Sequence, residues 1–126
     1  MNNTPYQNWV QQVSNAKTAE AITQLYQPNA ILIPTFSSTI CDSKEKIQNY
    51  FSNLVTKEQL SISTQFCVET PLHTNQILSN GLYTFHYLDT EGMVNHPARF
   101  SFLFTRKTTD SPWLIVLHHS SILPKK

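Results

Sequence analysis

The sequence predicts a single α+β domain in which N-terminal helices pack against a strongly curved, mainly antiparallel sheet that encloses a pocket. Apolar residues recur at helical spacing through most of the first 54 residues and alternate with polar residues from residue 59 onward. Helices and strands segregated in this way are typical of α+β domains. The 126 residues suffice for one core and are too few for two. The predicted domain therefore spans residues 1–126.

The first third of the chain is predicted to be helical, with one short strand after it. Trp9 and Val13 lie four residues apart, and Thr18 is the expected N-cap of a second helical stretch that Pro28 ends. The apolar run AILIPT at 30–35 then predicts a short buried strand.

A further helix is predicted over residues 42–54. Asp42 and Glu45 have the spacing of a capping box, in which the side chain of the first residue caps the helix. One face carries the apolar and aromatic residues Ile47, Tyr50, Phe51 and Leu54. This face is expected to pack against the sheet.

Four strands are predicted after residue 59. In 60–69, Leu60, Ile62, Phe66 and Val68 alternate with polar residues, which predicts one dry face. The next strand, 77–88, is expected to be broken near Gly81, and DTEG at 89–92 is a turn. In 98–107, Ala98 and the phenylalanines share one face, with Arg99 on the other.

The last strand begins with the uninterrupted apolar run WLIVL at 113–117 and ends in two histidines and two serines at 118–121. An apolar run without alternation is typical of a central strand covered on both faces. Its polar end therefore lines either a pocket or the seam between subunits, and the sequence leaves both open.

Composition excludes several classes of protein. The formal net charge is +1, so the protein has no large electrostatic field that would attract nucleic acid or an anionic membrane. Charged residues make up 13% of the chain, about half the typical share of roughly a quarter. A surface so poor in charge is expected to be covered by another copy or by a ligand.

We expect a cytoplasmic protein without cofactor or metal. The N-terminal residues lack the pattern of a signal peptide, and no apolar stretch approaches the ~20 residues of a membrane span. Cys41 and Cys67 are isolated and are predicted to be free thiols in a reducing compartment. The five histidines show no metal-binding spacing.

Five stretches carry a resemblance to a known family: LYQPNAILIPTFS, IQNYF, SNGLYTF, ARFSFLFT and WLIVLHHSSILP. In this order and spacing they resemble the association domain of calcium/calmodulin-dependent protein kinase II, and especially its free-standing bacterial relatives. These belong to the cone-shaped superfamily of nuclear transport factor 2, ketosteroid isomerase and SnoaL-type cyclases. The likeness spans about residues 9–124.

The resemblance implies a homodimer or larger ring built sheet against sheet, with a deep pocket between sheet and helices. It does not imply kinase activity or calmodulin binding. No glycine-rich nucleotide loop, catalytic aspartate loop or basic amphipathic helix is present in the sequence.

Six residues are candidates for binding a small anionic or polar ligand. Arg99 would supply a charge, because a guanidinium within an aromatic strand needs an anion or several acceptors. A solvent-facing or interface arginine paired with a carboxylate is the alternative. His118 and His119 point to opposite faces, so at most one shares a pocket with Arg99, and the resemblance favours His119. Ser120 and Ser121 are expected to be hydrogen-bond partners of these imidazole rings rather than nucleophiles.

The remaining candidates are Tyr50 and Tyr83, which could direct hydroxyls into the cavity, and Thr35, which resembles a family position at the pocket's mouth. A ketosteroid isomerase needs a carboxylate base in an apolar cavity. All eight acidic residues fall on predicted helix ends, helix surfaces, turns or a wet strand face.

Three functions are therefore carried forward. The first is a non-catalytic, self-associating domain with a ligand pocket. The second is a small isomerase, cyclase or hydratase that uses His119 as base in the same pocket. The third is a pure assembly domain whose polar residues serve the interface.

Overall fold

The computed structural model describes residues 3–15 and 18–125. Its elements in chain order are α1 (Pro5–Ser14), α2 (Ala19–Thr23), β1 (Tyr26–Ile33), α3 (Lys44–Leu54), β2 (Glu58–His73), β3 (Gln76–Asp89), β4 (Gly92–Thr105) and β5 (Leu114–Ile122). The strands form one sheet in the order β1-β5-β4-β3-β2. β1 runs parallel to β5, and the other neighbours are antiparallel. The α+β prediction is confirmed.

Each helix begins at a side chain that caps its free backbone N–H groups. Thr4 and Gln7 form a reciprocal capping box at α1, with Pro5 at the first helical position. Thr18 caps α2, as predicted. The prediction that Asp42 caps α3 is wrong: Ser43 Oγ accepts the hydrogen bond from the Lys46 backbone. Asp42 instead forms an exposed ion pair with the Lys46 ammonium.

The prediction that helix continues to Pro28 is also wrong. α2 ends at Thr23, and Tyr26 already belongs to β1, which includes Pro28. A proline is tolerated there because β1 lies at the edge of the sheet, where one side of its backbone needs no ladder hydrogen bond. Ile22 of α2 and Tyr26 of β1 are both buried, so both belong to the core although they lie in different elements.

β4 has the predicted alternation, and its inward face forms the centre of the core. The side chains of Ala98, Phe100, Phe102 and Phe104 are all buried. They pack against α1, where the Trp9 ring lies 5.0 Å from the Phe102 ring and the Tyr6 ring stacks at 4.7 Å on Phe100. The 89–92 turn that joins β3 and β4 is confirmed.

The predicted face of β2 is wrong beyond residue 64. The pairing of β2 with β3 shifts between Thr64 and Phe66, so Gln65 is an extra residue that reverses the alternation. Phe66 is consequently 57% exposed, and Cys67 packs against the core instead. The irregularity was predicted in β3 near Gly81, but it lies in the partner strand that Gly81 faces.

Candidate functional site

A buried polar network lies between the sheet and the helices, centred on His118 of β5. Its ring is 2% exposed and stacks on Phe102 with 3.8 Å between ring centroids. Nδ1 lies 2.8 Å from the Tyr26 hydroxyl, and Nε2 lies 3.1 Å from the Tyr83 hydroxyl. Both ring nitrogens therefore have partners inside the protein.

The donor and the acceptor of each of the hydrogen bonds to His118 can be assigned consistently. The Trp9 indole N–H donates to the Tyr26 oxygen at 3.1 Å, so the Tyr26 hydroxyl is free to donate to Nδ1 of His118. Tyr83 donates to Ser120 Oγ at 2.7 Å, so its oxygen accepts from Nε2–H. Ser120 in turn hydrogen-bonds the Thr35 side chain. This pattern assigns the proton of a neutral His118 to Nε2.

Burial keeps every titratable group of this network neutral. It lowers the pKa of His118 well below the usual histidine value, and the neighbouring charge of His119 lowers it further. Burial likewise raises the pKa of Tyr26 and of Tyr83 well above the usual tyrosine value. No carboxylate hydrogen-bonds to this network within the described residues. The arrangement is a satisfied set of neutral hydrogen bonds.

Tyr50 connects the interior to an open cleft between α3 and the segment 36–41. Its hydroxyl accepts a hydrogen bond from the Phe36 backbone N–H at 3.4 Å, and burial raises the pKa of Tyr50 to about 12. The cleft has a volume of about 640 Å³. Its wall includes the aromatic rings of Phe36, Tyr50 and Tyr87, the amides of Asn49 and Asn53, and Lys57.

Arg99 and His119 lie on the opposite, outer side of the sheet, and both are exposed. In the strand ladders, Arg99 is the cross-strand neighbour of Ser121 and Leu82, and His119 is the cross-strand neighbour of Ser101. The guanidinium is thus not buried within one chain, because Arg99 alternates with Ala98 and Phe100, whose side fills the core. His118 and His119 do point to opposite faces, as predicted.

The six candidates therefore divide into two groups. Thr35, Tyr83 and His118 lie in the buried network, with Tyr50 at its margin. Arg99 and His119 lie on the opposite side of the sheet, so their side chains do not take part in that site. Sequence reasoning missed Tyr26, whose contact with His118 depends on the parallel pairing of β1 with β5. It also missed Trp9, which the packing of α1 on the sheet brings against the His118 ring.

Three rows of paired residues define what we call the outer face. They are Ile31-Leu117-Leu103-Leu78, Ile33-His119-Ser101-Asn80-Val68 and Ser121-Arg99-Leu82-Phe66. Leu117, on a strand flanked by two neighbours, is still 39% exposed in a single chain. The face is largely apolar, and its rows contain no carboxylate.

The sequence matches the family model described as the calcium/calmodulin dependent protein kinase II association domain over residues 5–124. The chain belongs to this association-domain family. No curated protein sequence matches the chain. The family assignment therefore rests on the family model, and the fold is supported by solved structures.

Solved structures similar to this association domain include another of the same description, from Xanthomonas campestris, with 29% identity and a TM-score of 0.86. The match covers 96% of this chain and 84% of that chain. A protein described as a dehydratase of the NTF2-like family, from Streptomyces avermitilis, has 11% identity and a TM-score of 0.80, with coverages of 96% and 93%. The association domain of C. elegans CaMKII has 15% identity and a TM-score of 0.71, with coverages of 92% and 88%.

Membership of an association-domain family implies that the chain self-associates. The fold is shared with NTF2-like proteins, which include one described as an enzyme. Within residues 3–15 and 18–125, no helix is long and apolar enough to cross a membrane. In the same residues, no three His, Cys, Asp or Glu side chains converge to hold a metal ion.

The association domain is expected to lose stability as the pH falls below about 6.5, because of His118. The unfolded state takes up a proton near that pH, whereas the folded state, whose His118 pKa is lowered, does not. The free energy of unfolding should fall by up to about 1.4 kcal/mol per pH unit until the folded pKa is reached. Urea unfolding at constant protein concentration between pH 7 and 5 measures this slope.

His118→Gln should flatten this pH dependence, whereas the exposed control His73→Gln should keep it. An NMR titration of the imidazole signals provides a second measurement if His118→Gln does not fold. A His118 ring that becomes protonated near pH 6.5 without loss of structure would contradict the prediction.

Proposed function

We propose that this chain is a self-associating domain that assembles through its outer face and binds a small anionic ligand in the cleft beside Tyr50. The observation that carries the first part is the apolar outer face, since Leu117 and Phe66 are exposed in one chain. Monomeric proteins rarely leave a broad apolar face in water. A second copy seated on this face would cover it.

Arg99 and His119 are assigned to this assembly face rather than to the cleft. They lie on adjacent strands among the apolar rows, where a charged side chain at the margin of an interface orients the partner more than it adds affinity. This matches the third function considered from the sequence, in which the polar residues of β4 and β5 serve the seam between subunits.

The ligand proposal depends on the polar groups of the cleft. The Tyr50 oxygen accepts from the Phe36 backbone N–H, and the side chain of Tyr50 forms part of the cleft wall. Asn49 and Asn53 lie one helical turn apart on α3 and add amide donors. The Lys57 ammonium lies 5.1 Å above the Tyr87 ring. Aromatic walls with donors and a cation suit an aromatic carboxylate.

A small enzyme using the buried network is the second candidate, and the geometry favours it less. A general base must reach the proton that it abstracts, yet both nitrogens of His118 are already hydrogen-bonded to tyrosines. Burial also lowers the His118 pKa, which weakens the ring as a base. His119, the base considered from the sequence, lies on the outer face.

Native mass spectrometry tests the assembly proposal. We expect the wild type to be a dimer or a larger ring. Leu117→Asp should weaken association by at least about 100-fold, because a carboxylate would be buried without a partner. Ile40→Asp is the matched control, at an apolar position that is also exposed but lies outside the sheet, and it should assemble normally. A wild-type monomer, or an intact Leu117→Asp oligomer, would contradict the proposal.

The same spectra, recorded with added benzoate as the probe, test the cleft. Wild type and Leu117→Asp should each retain benzoate, and Lys57→Ala should retain none while it still assembles. Equal retention by the wild type and Lys57→Ala would show that the cleft is not the binding site.

A further inference from the structure

A second polar cluster lies on the outer side of the sheet, at the end near the 89–92 turn. Ser63 of β2, His86 of β3 and Asn95 of β4 lie side by side on three adjacent strands. Ser63 Oγ is 2.7 Å from Nε2 of His86, and Nδ1 of the same ring is 2.6 Å from Oδ1 of Asn95. A serine, a histidine and an orienting amide oxygen therefore form one continuous chain of hydrogen bonds.

The direction of these hydrogen bonds follows from the groups involved. Oδ1 of Asn95 can only accept, so Nδ1 of His86 carries the ring proton and Nε2 keeps its lone pair. The Ser63 hydroxyl then donates to Nε2. Gln65 supports this direction, because its side-chain N–H donates to Ser63 Oγ at 3.0 Å. The neutral ring is thus held in the tautomer that accepts the serine proton.

The ladder of the sheet holds the cluster in position. His86 is the direct cross-strand partner of Asn95, and Ser63 is the partner of Thr84, next but one to His86 along β3. Thr84 donates to Oε1 of Gln65 at 2.8 Å, which orients the amide whose N–H reaches Ser63. In a single chain Ser63 and His86 are each half-buried and Asn95 is exposed, so part of the cluster remains exposed.

This arrangement meets the geometric requirements for an activated nucleophile. Such a site needs a hydroxyl within about 2.6–3.2 Å of a base, and a third group that orients the base. We propose that Ser63, His86 and Asn95 form an acyl-transfer site for small activated esters. The site uses neither the cleft beside Tyr50 nor His118, and Asn95 lies roughly 14 Å along β4 from Arg99.

In the reaction, Ser63 Oγ forms a bond to the ester carbonyl carbon while its proton passes to Nε2 of His86. The bond from the carbonyl carbon to the leaving oxygen then breaks, and His86 returns the proton to that oxygen, which releases an alcohol or phenol. A water molecule attacks the acyl group with the same base, giving the carboxylic acid and free Ser63. The Gln65 amide N–H, which donates to Ser63 Oγ, holds the hydroxyl oxygen in place before it attacks. Asn95 is a positioning residue.

The test is acetylation of the assembled full chain by 4-nitrophenyl acetate, followed by intact-mass and peptide mass spectrometry. We expect one acetyl group on Ser63 and none there in Ser63→Ala. His86→Ala should slow acylation by about 100-fold, the typical contribution of a general base. Ser52→Ala is the control, because Ser52 is an exposed serine of α3 that lies outside the cluster, the cleft wall and the outer face. It should react as the wild type does.

Asn95 is tested by rescue. Asn95→Ala should lower the acylation rate by about 10-fold, whereas Asn95→Asp, which also accepts from Nδ1–H, should restore it. Circular dichroism checks that each variant is folded. Acetylation confined to lysines or other histidines, or equal phenol release by the wild type and Ser63→Ala, would overturn the proposal.

Discussion

Replacing Phe102 with alanine is expected to lower the free energy of unfolding by about 3–5 kcal/mol, measured by urea denaturation. The ring is 0% exposed and lies at the centre of the aromatic core. It contacts Trp9, Phe100 and Phe104, and it stacks on the His118 ring at 3.8 Å. Its removal leaves a cavity and also exposes one face of the buried imidazole.

Leu72→Ala is the control for this measurement. Leu72 lies near the end of β2 and is 54% exposed, so its truncation should change stability by no more than about 0.5 kcal/mol. Both variants should be measured at equal protein concentration, because assembly adds to apparent stability. A similarly small loss for Phe102→Ala would contradict the central role of this ring in the core.

Replacing Gly81 with alanine is the second change with a large expected effect. A Cβ atom at this position would lie 1.9 Å from the backbone oxygen of Phe66. The obstructing atom belongs to the backbone of β2, so β2 and β3 must separate where the pairing shifts. We expect a loss of about 3 kcal/mol or more in the free energy of unfolding.

Ser79→Ala is the matched control on the same strand. The buried Ser79 hydroxyl has no hydrogen-bond partner among the described residues, so its removal should leave stability unchanged or raise it by about 1 kcal/mol. Hydrogen exchange adds a local measurement: Gly81→Ala should speed exchange of β2 amides near Phe66. Normal exchange and stability in Gly81→Ala would rule out the close approach of the two strands.

Patterns within single elements were predictable because local spacing decides them. The buried phenylalanines of β4, the Thr18 cap and the turn at 89–92 all follow from alternation or from turn chemistry. The family resemblance also followed from short stretches in a fixed order. These features do not require knowledge of which strands are neighbours.

Other features could not be predicted from local spacing, because they depend on how the strands pair and on which side of the sheet the helices cover. The extra residue Gln65 reverses the faces of β2, so Phe66 points outward although its spacing predicts burial. For Arg99 the sequence left open a pocket charge and a solvent-facing or interface arginine, because only the position of the helices decides which side of β4 is the core. Ser63, His86 and Asn95 come from three strands and carry no signal in the sequence.

The order of helices and strands, the buried phenylalanines of β4 and the opposite orientations of His118 and His119 all followed from the amino-acid sequence. These depend on the periods of helix and strand, which are properties of the local backbone. The fold was needed to establish that His118 is the buried histidine, hydrogen-bonded to Tyr26 and Tyr83, and that Arg99 and His119 lie on the outer side of the sheet. The reason is that the strand order and the side covered by helices arise from contacts between residues up to 92 positions apart.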